Sequence, residues 1–146
     1  MKRVVASDSF DELMRMKRIL IGNVAGADYS NFMHKDLAAG RWFTFSLVEQ
    51  LANVGSEISR TILWKQKGDL TESRAAFFRA LELIHLTVID SKNKGRRKEV
   101  LRARELLIDH FMYDNQYKTT DESWNTYFYD FGYAAALRRR RPAKSV

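Results

Sequence analysis

The chain has 146 residues, 45% of them apolar and 12% aromatic, with no cysteine and a formal charge of +7. That is one domain with material for a hydrophobic core, and it excludes disulfides, thiolate metal sites and a cysteine nucleophile. No apolar run approaches the ~20 residues of a membrane span, and the start, MKRVVASDSF, lacks the apolar stretch of a secretory signal, so the expectation is a cytoplasmic protein without membrane association.

In chain order, Ser9 and Glu12 have capping-box spacing and open a short helix through Ile21. Gly22, Asn23 and Gly26 break it, and Phe32, Met33 and Leu37 suggest a second short helix ended by Gly40. The next stretch, Trp42 to Lys67, reads as one long central helix. Val48, Leu51, Ala52, Gly55, Ile58 and Ile62 form its apolar stripe, and Glu49, Asn53, Glu57 and Arg60 lie opposite. Its small residues, Ala52, Gly55, Ser56 and Ser59, mark a face that another helix can approach closely.

Lys67-Gly68-Asp69 predicts a tight reversal: Gly68 suits the left-handed position after a helix, and Asp69 can cap the next one. That helix is expected from Leu70 to Asp90, with Phe77, Leu81, Ile84 and Val88 inward. Its first half resembles part of a tetratricopeptide repeat, but the period does not recur, which leaves a single helical hairpin. A basic loop, Ser91–Lys98, leads to a helix through about Tyr113, packed by Val100, Ala103, Leu107 and Phe111. After a polar loop, Thr119 and Glu122 have capping-box spacing, and Trp124, Phe128, Phe131 and Ala135 make the stripe of a last helix. The fold class expected is all-α: an up-and-down antiparallel four-helix bundle with a short helical N-terminal extension. It divides into the extension (1–40), the bundle (41–137) and a basic C-terminal tail (138–146), a single domain overall.

The positive charge is local. Lys92, Lys94, Arg96, Arg97 and Lys98 form one cluster; Arg138, Arg139, Arg140, Arg141 and Lys144 form another. Neither stretch holds an acid, so the remainder of the chain is net acidic. Such patches can steer a nucleic acid or nucleotide, or they can be a solvated turn and tail. Aromatics (Trp42, Phe43, Phe45, Trp124, Tyr127, Phe128, Tyr129 and Phe131) could stack bases, but stripes at helical spacing are the pattern of a core.

Two constellations carry candidate chemistry. Glu82 and His85 form an E-x-x-H, as used by diiron bundles. The second such motif is missing, because Leu107 stands three residues before His110, so no metal and no cofactor is expected. Arg104 and His110, in RARELLIDHFMYD, resemble the R-x4–6-H motif of the HEPN family, small helical bundles that include RNA-cleaving domains and partners of minimal nucleotidyltransferases. The resemblance covers about residues 42–137. It implies a helical bundle whose active members cleave RNA without metal, with the Arg and His of two subunits meeting across a dimer cleft. Glu105 departs from the polar residue that active members carry after the Arg, and Arg79 and His85 repeat the spacing one helix earlier. The reading that follows is a non-catalytic, HEPN-like binding module that forms a homodimer through its central helix and contacts nucleic acid or nucleotide through the basic patches. The alternatives are a metal-independent ribonuclease using Arg104 and His110, and a structural or regulatory bundle with a protein partner.

Overall fold

The computed structural model describes residues 39–140, so the two N-terminal helices expected before Gly40 lie outside the described residues, as do Arg141 and Lys144. Four helices follow one another: α1 (Leu47–Gln66), α2 (Leu70–Ile89), α3 (Arg97–Met112) and α4 (Asp121–Arg140). Short 3-10 turns at Arg41–Thr44 and Ser91–Arg96 precede α1 and α3.

The central helix is shorter than its apolar pattern suggests. It starts at Leu47 because Ser46 closes a capping box: its hydroxyl accepts the Glu49 N–H, and the Glu49 carboxylate accepts the Ser46 N–H. Trp42 to Phe45 turn away instead, and the Trp42 indole enters the core, where its N–H donates to the Thr87 hydroxyl at 3.2 Å. At 20 residues α1 is roughly 30 Å long. Its end is a Schellman turn: Gly68 takes φ +80°, its N–H bonds the Lys65 carbonyl, and the Asp69 N–H bonds that of Trp64. Asp69 then caps α2 through the Glu72 N–H, as its spacing predicts.

Side-chain pairs give the register. Gln50 meets Asp90, Glu57 meets Arg79, and the Ser73 hydroxyl donates to the Thr61 carbonyl, so α2 runs antiparallel to α1. Lys65 with Asp121, Ser59 with Asn125 and Gly55 with Phe128 run α4 antiparallel to α1 on another side. Arg97 reaches the Val88 carbonyl while the Phe111 ring meets Phe77, which makes α3 antiparallel to α2. The result is an all-α up-and-down four-helix bundle. Its core gathers Val54, Ile58, Phe77, Leu81, Leu107 and Phe128, among others. None of the described helices is long and apolar enough to cross a membrane.

Four details differ from expectation. Glu57 is buried, not on the polar face, because Arg79 of α2 and Arg60 both bond its carboxylate. α4 is capped by Thr120 and Ser123 and not by Thr119 and Glu122, since the Thr119 hydroxyl is committed to His110 and Trp124. The small-residue stripe receives a helix of the same chain: a Cβ on Gly55 would lie 2.7 Å from Phe128 Cβ. α4 also continues through Arg140, so Arg138, Arg139 and Arg140 belong to a helix and not to a tail.

Candidate functional site

The antiparallel order has a consequence for charge. The N-terminus of α1, the end of α2, the start of α3 and the end of α4 share one pole of the bundle. Lys92, Lys94 and Arg96 lie in the 3-10 turn, Arg97 and Lys98 in the first turn of α3, and Arg138 to Arg140 in the last turn of α4. Two basic stretches some forty residues apart in sequence thus share that pole. Arg41 joins them from the turn before α1; a lone arginine beside an aromatic run gave no sequence signal. In the first half of α4, Tyr127 lies near the start of α3: burial and the Glu99 carboxylate raise its pKa, with Arg96 opposing.

The loop is held from beneath by a buried polar network. Gln50, fully buried, donates to the Trp42 carbonyl at 3.1 Å and to Asp90 Oδ2 at 2.8 Å, and accepts from Asn93 Nδ2 at 2.8 Å. Asn93 also donates to the Thr87 carbonyl, and the Asp90 carboxylate caps the turn by accepting the Lys92 N–H. Each buried partner is satisfied, which is what makes such a network rigid and not costly. Burial alone would raise the Asp90 pKa, but bonds from Lys92 and Gln50 outweigh it and hold the carboxyl below its ordinary value. The Lys92 ammonium is spent on Asp90 and the Phe43 carbonyl, Arg96 on Glu99, and Arg97 on the Val88 carbonyl. Lys94, Lys98, Arg41 and Arg138–Arg140 are exposed and make no ion pair among the described residues. The network residues themselves were not legible as a unit, because Trp42, Gln50, Thr87, Asp90 and Asn93 lie on three separate segments.

Arg104 and His110 do not act on a common atom within one chain. Arg104, its pKa lowered by burial, lies near enough to His85 of α2 to disfavour a charge there. His110 is held on both ring nitrogens: Nε2 lies 2.7 Å from Asp121 Oδ1, and Nδ1 lies 3.0 Å from the Thr119 hydroxyl. The consistent donor order runs from the Trp124 indole N–H to Thr119, from Thr119 to His110, and from His110 to Asp121, which Lys65 bonds as well. Burial tends to raise the Asp121 pKa; the bonds from His110 and Lys65 win and lower it. With a side chain 5% exposed, His110 fastens the α3–α4 connection to α1.

Glu82 and His85 are both buried. Desolvation, aided by the Arg104 charge and opposed by Glu82, lowers the His85 pKa to about 4. Among the described residues, no group of three or more His, Asp or Glu side chains is placed to hold a metal ion. Of the aromatics, Trp42, Trp124 and Phe128 are core; Phe43, Phe45, Tyr127 and Phe131 pack against it, and Tyr129 is exposed.

The fold and the pole define a helical bundle with a built basic surface. No family model, no curated protein and no solved structure matches the chain.

Proposed function

We propose that the chain is a non-catalytic, HEPN-like binding module that engages nucleic acid phosphates through its basic pole. The observation that supports this reading is the convergence of Lys94, Lys98 and Arg138–Arg140 on the pole braced by the Gln50–Asp90–Asn93 network. A solvated turn needs no such foundation, whereas a surface that meets a polyanion gains from cations already held in place. Phosphate contacts release counterions, so RNA affinity falls linearly on a log–log plot against salt, with a slope of roughly −0.7 to −0.9 per contact. Replacing Lys94, Lys98 and Arg138–Arg140 with glutamine flattens that slope and lowers affinity. A slope unchanged by these substitutions would refute the reading. The ribonuclease alternative has less support, because His110 has both nitrogens engaged and Arg104 lies toward His85.

The same reading includes a homodimer through the α1–α4 face. A groove of about 760 Å³ runs there between Ala52, Ser56, Ser59 and Leu63 on α1 and Tyr129 and Tyr133 on α4, with no charged residue in its lining. Small residues lie beside a stacked, exposed tyrosine pair, so two-fold pairing seats each copy's Tyr129 and Tyr133 against the partner's small-residue row. Self-complementarity without buried charge favours a second copy over an unrelated protein. Light scattering is expected to give a dimer mass that Tyr133→Glu reduces to a monomer; a monomeric wild type refutes this part.

A further inference from the structure

At the pole opposite the basic loop, a second pocket of about 220 Å³ opens between the end of α1, the start of α2 and the end of α3. Its floor is apolar: Phe77 and Phe111 lie with ring centroids 5.1 Å apart, beside Leu70 and Met112. Its wall carries two cations, Lys65 and Arg74, beside the His110 ring. Asp121 is bonded to Lys65 as well as to His110, so the Lys65 charge is partly neutralised. Arg74 is half-buried and makes no ion pair among the described residues, which leaves its charge for a ligand. An apolar floor with one uncompensated guanidinium fits a molecule that has an apolar body and an anionic end. The volume is below the roughly 300–1,000 Å³ of sites for drug-sized ligands, which limits the body to about one ring.

We propose that this pocket binds a small one-ring organic anion, with the ring against Phe77 and Phe111 and the phosphate or carboxylate on Arg74. The site is independent of the nucleic-acid reading, since α1 separates the two poles by roughly 30 Å. Arg74 offers a planar fork that pairs with either head group, and Lys65 adds a point charge at the rim.

The test is a titration of isotope-labelled full chain with phenyl phosphate, benzoate and neutral benzyl alcohol, followed through amide shifts. Saturable shifts at Arg74, His110 and Phe111 with either anion, and none with benzyl alcohol, are expected. Tighter phenyl phosphate assigns a phosphate ester as the head group; tighter benzoate assigns a carboxylate. Arg74→Gln weakens binding about tenfold or more, Arg74→Lys weakens it less, and Lys98→Gln leaves it unchanged. Absence of saturable shifts with both anions at millimolar concentration overturns the proposal. So does unchanged binding by Arg74→Gln, or shifts confined to the basic pole.

Discussion

Helices α2 and α3 each carry an arginine followed six residues later by a histidine, and the two pairs have opposite fates. On α2, Arg79 bonds the buried Glu57 at 3.1 Å and His85 sinks into the core at 2% exposure. On α3, Arg104 lies toward that same His85, while His110 turns to Thr119 and Asp121. In neither case do the arginine and histidine of one motif serve each other. Six residues turn a helix by about 240° beyond a full turn, so the two side chains leave different faces. Which neighbour each finds is decided by the adjoining helix, not by the spacing.

The contrast is broken most strongly by acid. His85 has a folded-state pKa of about 4 against an unfolded value of 6.5. As pH falls below 6.5 the unfolded chain takes up a proton that the folded chain refuses, so the contribution is present above that pH and is lost by about pH 4. At about 1.4 kcal/mol per unit, the loss is about 3 kcal/mol. Urea unfolding at pH 7 and pH 4 measures it, and in His85→Leu the difference between the two pH values shrinks by that amount. An equal pH dependence in wild type and variant would place His85 in contact with water.

What could be read from the residues follows the same division. Apolar periods and caps act locally, so α2, α3, the Gly68 reversal and the Asp69 cap were legible. Where a cap competed with the period, the period misled. Ser46 and Glu49 spell a capping box, yet the apolar run from Trp42 hides it, and the helix began at Leu47. Thr119 and Glu122 also have box spacing, but the tertiary demand of His110 and Trp124 on the Thr119 hydroxyl shifted the cap to Thr120. The two basic clusters were visible as charge runs. Their sharing of one pole depends on the antiparallel order, and the network that braces the loop depends on three segments meeting, which no single stretch encodes.

Next in size is His110. His110→Ala removes two hydrogen bonds and an edge-to-face contact with Phe111 at 4.6 Å between centroids, and it leaves the Thr119 hydroxyl only Asn115 Oδ1, at 3.3 Å, as acceptor. The expected cost is about 2 kcal/mol in chemical denaturation at pH 7. Because Lys65 still bonds Asp121, the end of α1 keeps its link to α4. On the binding-module reading, the wild-type chain is expected to show no chelator-resistant RNA cleavage for this variant to lose. Cleavage by wild type that vanishes in His110→Ala, with stability unchanged, would restore the ribonuclease reading and make the α3 pair functionally unlike the α2 pair.

The smallest effect crosses between the two pairs. Two causes lower the His85 pKa, burial first and the Arg104 charge second. Arg104→Met keeps the length and apolar stem of the side chain while removing the guanidinium, so burial of His85 is retained and the repulsion is not. The His85 pKa then rises from about 4 but stays below the ordinary imidazole range, because desolvation remains the larger cause. Imidazole carbon-proton shifts followed against pH read this directly, and His110 provides an internal control, since its partners Asp121 and Thr119 are untouched. If the Arg104→Met substitution leaves His85 titrating as before while moving His110, the arginine of α3 serves its own histidine after all. The spacing would then carry information that the α2–α3 contact does not.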